Sequence, residues 1–153
     1  MAKVEYYTCF ISYGEPNLEF ARKLYQDLDT RGVSRWMYNK DSTVGAPSWK
    51  EIGQQRRGAE KMVAICSADA LVRDGFLKEI EEQIDEDPEK LVPISLNDLW
   101  KQPGFRVVRG TKDLKPFLLE WNYADFLKLS YEEALERLLK GLSRKADTGD
   151  HNG

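Results

Sequence analysis

Short apolar runs alternate with amphipathic stretches along most of this chain, and that rhythm limits the folds open to it more than any other feature. Tyr6-Tyr7-Thr8-Cys9-Phe10-Ile11-Ser12 is a run of aromatic and β-branched residues that stops at the turn-forming Tyr13-Gly14-Glu15-Pro16-Asn17. Leu18, Ala21, Leu24, Tyr25 and Leu28 then follow one helix face, and Gly32 supplies a stop. Residues 33–38 read as a second strand. Residues 39–47, with Gly45 and Pro47, read as a loop, and Ser48-Trp49-Lys50-Glu51 as the capping box of a helix over 49–57. A third strand is expected at 61–66. Residues 74–86 carry Leu77, Ile80 and Ile84 at helical spacing with Phe76 beside them. Residues 91–94 are a fourth strand, 96–115 an irregular stretch with room for one weak helical turn, and 117–119 a weak fifth strand. A second capping box, Ser130-Tyr131-Glu132-Glu133, opens a helix that sets Ala134, Leu135, Leu138, Leu139 and Leu142 on one face.

Such strand–helix alternation argues for an α/β fold, a parallel sheet covered by helices on both faces. Open sheets of this kind bind ligands beyond the carboxyl ends of their strands, near the topological switch point. The turns at 13–17, 39–47 and 67–75 are therefore the places to look for a site. A length of 153 residues fits one domain, expected at 1–143, with 144–153 as a mobile tail that has no apolar period.

Composition removes several classes of chemistry. Twenty-three Lys and Arg against 26 Asp and Glu give a net charge of −3, without the basic footprint of a nucleic-acid binder. No apolar run approaches the roughly 20 residues that a membrane span needs. Residues 1–5 lack the apolar core of a secretory signal, which reads as a cytoplasmic protein. The only histidine is His151, so a Ser-His-Asp triad, a Cys-His pair and a His-rich metal site are not available to a folded core. Cys9 and Cys66 both lie in apolar runs and read as reduced, buried residues. Neither a GxGxxG turn nor a P-loop is present.

Carboxylates remain. The run Glu79, Glu81, Glu82, Asp85, Glu86, Asp87 and Glu89 reads mostly as a solvated helix face. Glu79 differs by position: it lies just beside the Leu77–Ile80–Ile84 stripe, early in the helix that follows the third strand. From periodicity alone it is either a group at the ligand crevice or a first-turn acid favoured by the helix dipole.

Several motifs, in order, resemble those of TIR domains (Toll/interleukin-1 receptor domains), and the bacterial type most. Phe10-Ile11-Ser12-Tyr13 resembles the family's FISY box. Gly45 followed by Trp49, with Ile52 nearby, is similar to its G-x-x-x-W-x-x-x-I. Cys66-Ser67 closes the third strand as the family's does. Gly75-Phe76-Leu77-Lys78-Glu79-Ile80 is similar to its W-x-x-x-E-[IL] segment. Gly32 before the second strand, Leu91-Val92-Pro93-Ile94 and Asp125-Phe126 also fit, and the resemblance covers about residues 5–142.

That resemblance implies a flavodoxin-like five-stranded parallel sheet flanked by helices. It implies an NAD+ hydrolase or cyclase that cleaves the nicotinamide–ribose bond, giving nicotinamide with ADP-ribose or a cyclic ADP-ribose isomer. A bacterial antiviral (antiphage) immune signal read by a separate effector protein would be its setting. NAD+ is then the substrate, with no cofactor. Glu79 is the catalytic carboxylate. Tyr13, Gly14, Glu15, Thr43, Gly45, Phe76 and Phe126 are the substrate-binding candidates, and the site is shared between self-associated TIR domains. The chain departs from the pattern at Gly75, where the family has Trp, and at Tyr38-Asn39, where it has an Asp. It also carries Gly14-Glu15 where some members have Arg. The alternative is a non-enzymatic adaptor or decoy that works only through TIR–TIR contact.

Overall fold

The computed structural model describes residues 4–120 and 124–144 of the protein. Four strands follow one another along the chain: β1 (Cys9–Ser12), β2 (Arg35–Trp36), β3 (Lys61–Cys66) and β4 (Leu91–Ser95). A small antiparallel pair, β5 (Val108–Arg109) and β6 (Lys112–Asp113), stands apart, and β7 (Ala124–Asp125) completes the main sheet. All pairings in that sheet are parallel, in the order β2-β1-β3-β4-β7. This is the doubly wound order whose switch point falls between β1 and β3.

Alternation along the strands divides the core. Phe10, Met62, Ala64 and Cys66 point to one face, where they meet helices α3 (Ser48–Gly58), α4 (Asp74–Glu86) and α5 (Lys115–Glu120). Cys9, Ile11, Val63, Ile65 and Ile94 point to the other, against α1 (Leu18–Thr30) and α6 (Tyr131–Leu142). Leu24 and Leu28 of α1 and Leu138 and Leu139 of α6 are almost wholly buried there. Each such side chain stabilises the fold by roughly 1.5–3 kcal/mol. Cys9 and Cys66 are free and buried, as expected, and burial pushes both thiols up to about 12.

Each of the three central strands ends in a buried serine that ties down the next loop. Ser12, closing β1, reaches α4. Ser67, just after β3, donates to Asn17 Oδ1 at 2.7 Å and accepts from the Ala70 N–H. Ser95, at the end of β4, donates to the Asn97 carbonyl and accepts from Trp100 Nε1. The carboxyl edge of the sheet is therefore braced rather than loose.

Helices α3 and α4 are joined by a buried cation. Arg56 is 1% exposed. Its terminal nitrogens donate to Gln83 Oε1 at 3.0 Å and to both oxygens of Glu86 at 3.1 and 3.0 Å. The pairing holds the Glu86 carboxyl below its ordinary range. Glu82 lies 3.6 Å from the same guanidinium.

Four expectations need correction. Residues 117–119 are not the fifth strand. Leu114, Phe117 and Leu118 have helical spacing, Pro116 is tolerated in a first turn, and α5 forms; the fifth strand is the two-residue β7. Ser48 does not cap α3. Pro47 is the N-cap residue, Ser48 is already helical, and the Glu51 carboxylate turns outward to Thr43. The second strand is only Arg35–Trp36, because the chain from Tyr38 winds into the short helix α2 (Tyr38–Asp41), stitched by the Asp41 carboxylate accepting from the Met37 N–H. The stretch 96–115 holds the one helical turn expected there, Leu99–Lys101, but it also holds the β5–β6 pair, which irregular chain does not predict. The second capping box, by contrast, is present at Ser130 and Glu133. The expected tail lies, beyond Arg144, outside the described residues. Arg144 itself donates its N–H to the Glu5 carbonyl and pairs with Glu60.

Removing Arg56 leaves Gln83 and two carboxylates facing an emptied site. Arg56→Ala should destabilise the fold by about 2–4 kcal/mol, read as a lower midpoint in urea with the m-value unchanged.

Candidate functional site

Phe10 and Ser12 share a strand face, so a polar side chain one step past Phe10 emerges at the sheet's edge still pointing toward α4. There the Ser12 hydroxyl donates to Glu79 Oε1 at 2.5 Å. Glu79 sits on the second turn of α4, beside the buried stripe of Leu77, Ile80 and Ile84, and is half-buried. Among the described residues it forms no ion pair. Burial raises its carboxyl to about 7, against the Ser12 hydrogen bond and the nearby charge of Arg56, which favour ionisation. A carboxylate poised near neutrality at the end of a central strand can stabilise a cation or accept a proton.

Glu79 opens into a cavity of about 520 Å³ between α3 and α4. Trp49, Lys50 and Arg57 line it from α3; Gly75 and Lys78 line it from α4. The Trp49 side is open to solvent, with the residue 73% exposed.

Tyr13, the residue after Ser12, packs on the α1–α6 side of the sheet and feels the Glu79 charge only through space. Burial raises its phenol, a hydrogen bond from the Asn39 N–H opposes that, and the charges of Glu15 and Glu79 add to the rise. Gly14 is buried where two loops of the carboxyl edge meet. A Cβ there would lie 2.8 Å from Ala70 Cβ and 3.0 Å from Ala70 Cα, so glycine is what lets the loop after β1 touch the loop after β3. Glu15 is exposed and starts the helical turn Glu15–Asn17.

Thr43 donates its N–H and its hydroxyl to the Glu51 carboxylate, at 3.0 and 2.7 Å, which fastens the loop between α2 and α3 onto α3. Gly45, at φ +91°, lets that loop turn. Phe76 is 4% exposed and belongs to the α3–α4 core. Phe126 lies on the opposite face of the sheet, edge-on to Phe20 at 5.2 Å and to Tyr131 at 5.5 Å. The structure thus ties Glu79 to the end of β1 through Ser12, packs Tyr13 on the α1–α6 side of the sheet, and sets Gly14 where the two loops meet. It puts Thr43 and Gly45 on the approach to α3 and assigns Phe76 and Phe126 to the two cores.

Reading the sequence for a site overlooked Ser12, Trp49, Lys50, Arg57 and Lys78. Ser12 and Trp49 stand in motifs but gave no sign of a contact with Glu79 or a cavity. The three cations look like any solvated helical charge until α3 and α4 are placed side by side.

The chain is a doubly wound α/β domain with a half-buried carboxylate held at the end of β1. The TIR domain family profile matches residues 9–139, and the chain belongs to that family. Solved structures agree in fold. The TIR domains of the activated Roq1 resistosome, which directly recognizes the pathogen effector XopQ, superpose with a TM-score of 0.70 at 18% identity, over 88% of this chain and 98% of that one. A metazoan TIR-STING receptor from C. gigas in complex with 2′,3′-cGAMP gives 0.66 at 17% identity, over 90% of this chain and 40% of that one. The TIR domain of the Toll-related receptor TRR-2 from Hydra magnipapillata gives 0.65 at 16% identity, over 88% and 96%. No curated protein matches at the level of sequence. Among the described residues, no helix is long and apolar enough to cross a membrane.

The raised carboxyl of Glu79 has a consequence for stability. Its folded value lies above the unfolded one, so its contribution is fully present below about pH 4.5 and is lost as pH rises through about 7. Glu79→Gln keeps an acceptor for Ser12 and removes the buried charge. The variant should match wild type near pH 4.5 and be more stable at pH 8, by about 1–3 kcal/mol. Denaturant midpoints at the two pH values check this.

Proposed function

We propose that this TIR domain cleaves NAD+ at the nicotinamide–ribose bond, with Glu79 as the catalytic carboxylate. The observation that carries the reading is the setting of Glu79: half-buried, oriented by Ser12 at the end of β1, outside any ion pair among the described residues, and opening into a cavity between α3 and α4.

The chemistry asks little more of the protein. As the C–N bond breaks, its electron pair stays on the ring nitrogen and nicotinamide leaves neutral, so no acid is needed to help it go. Positive charge develops on the ribose, as in glycoside hydrolysis. A fixed carboxylate beside the sugar stabilises that charge more in the transition state than in the ground state. A bound nicotinamide cation would itself draw Glu79 into the ionised form. Water then adds to the sugar carbon and gives up a proton, which a carboxylate with a value near 7 is suited to take at neutral pH. An adenine nitrogen or hydroxyl of the same molecule reaching the cation first would give a cyclic product instead.

Self-association belongs to the same reading, supported by the likeness to the TIR domains of the Roq1 resistosome. A site completed by a second copy gives activity that rises faster than protein concentration. An immune signal read by a separate effector would be its use.

Purified protein mixed with NAD+ should release nicotinamide, and Glu79→Gln should lower the rate at least 100-fold while remaining folded. No release from wild type at high protein concentration would leave only the adaptor or decoy role. The kcat/KM profile should climb with pH and level off above an apparent value of about 7, since the ionised form is the active one.

A further inference from the structure

Among the described residues Arg56 is the only charged side chain that is fully buried, and it faces the side of α4 that carries Glu79. Glu82, Gln83 and Glu86 follow Glu79 by three, four and seven residues, so all four share one helix face. The guanidinium is fixed at Gln83, whose amide is held at its other end by donating to the Asp87 carbonyl at 2.7 Å. Gln83 lies one helical turn beyond Glu79, roughly 5–6 Å along the axis, and Glu86 lies about a turn further. The charge of Arg56 therefore has a set place close to the carboxylate, while its ion pairs go to Glu82 and Glu86.

The charges on this face are unequal in number. One guanidinium serves Glu86 at 3.0 Å and Glu82 at 3.6 Å, so the cluster holds one carboxylate more than it has cations before Glu79 ionises. The other groups that act on Glu79 are the Ser12 hydroxyl, Lys78 on α4, and Lys50 and Arg57 on the α3 wall of the cavity. Tyr13, on the far side of the sheet, is neutral near pH 7. The three cations of the wall are exposed, where water and salt screen them. Arg56 is sealed from both.

We propose that Arg56 is a positioning residue for the cleavage: its sealed charge, shared with Glu82 and Glu86, sets how readily Glu79 ionises and so the pH at which the site becomes active. The guanidinium acts through Glu79 and does not meet the substrate. The role rests on the reading of Glu79 as the catalytic carboxylate. It goes beyond that reading in giving control of the carboxylate to a second helix.

The test follows the Glu79 carboxyl directly, by NMR titration of the full chain carrying isotope-labelled glutamate, with the signal identified by its loss in Glu79→Gln. Nicotinamide release against pH is measured on the same proteins. Arg56→Gln keeps an amide that can bond Glu86 and removes the charge. Its Glu79 midpoint should rise by at least about 0.5 pH unit, which lowers kcat/KM on the rising limb of the profile about 3-fold and leaves the plateau to be reached at higher pH. Glu86→Gln removes a competing carboxylate and should move both readings the other way. Looser packing does not mimic the first result, because water reaching Glu79 lowers its midpoint. Should Arg56→Gln not fold, the double variant Arg56→Gln, Glu86→Gln replaces the pair with two amides, which buried sites tolerate better than a broken pair. Its midpoint should still rise, since the guanidinium is nearer to Glu79 than Glu86 is. A midpoint that stays or falls on loss of Arg56, or that rises in Glu86→Gln, overturns the proposal. An unmoved midpoint with release intact removes Arg56 and leaves Glu79 catalytic. No release from wild type at any pH ends the role in cleavage, even where the midpoint moves.

Discussion

Burial of β3 on both faces is the constraint from which the rest of the molecule follows. From Met62 to Cys66 every residue of that strand is sealed from water. Its backbone groups are therefore committed to β1 on one side and β4 on the other. A strand covered twice needs helices above and below it, and the parallel pairing forces each connection to cross from one end of the sheet to the other. The carboxyl ends of β1 and β3 are thereby brought to one rim, with loops that have no choice but to meet there. Gly14 against Ala70 and Ser67 against Asn17 are the points of that meeting.

The site inherits its electrostatics from this arrangement. A glutamate on the exposed side of α4 would be an ordinary surface acid. One step closer to the buried stripe, it loses water without gaining a cation, and a serine hydroxyl from the adjacent strand only partly makes up for the loss. Arg56 shapes the same region from below. Its guanidinium is spent on Gln83 and Glu86, so it fixes the distance between the two helices and tempers Glu79 through space rather than by contact. A partly dehydrated acid between braced helices costs the fold stability once it is ionised.

Much of this was legible in the order of residues. Strands and helices that carry a full period, such as 61–66, 74–86 and 131–142, stand where their spacing puts them. The Ser130 capping box forms with a Glu133 that has no other partner among the described residues, whereas the matching pattern at Ser48 fails because Thr43 captures Glu51. The last strand could not be seen: two residues, Ala124 and Asp125, carry no alternation, while the apolar Phe117 and Leu118 beside them do catch the eye and turn out to be helical. Glu79 stood out because it interrupts a face. The cavity did not, since Trp49, Lys50, Arg57 and Lys78 come together only through the packing of α3 on α4, which no local pattern encodes.

The two native thiols lend the molecule a practical property. Sealed in opposite cores and held almost wholly protonated, Cys9 and Cys66 offer no nucleophile to maleimides, oxidants or disulfides. A cysteine introduced at a solvent-facing position such as Val44 would thus be the one reactive handle on the domain. Dyes, spin labels and crosslinkers could be placed on the α2–α3 loop with the wild-type background silent.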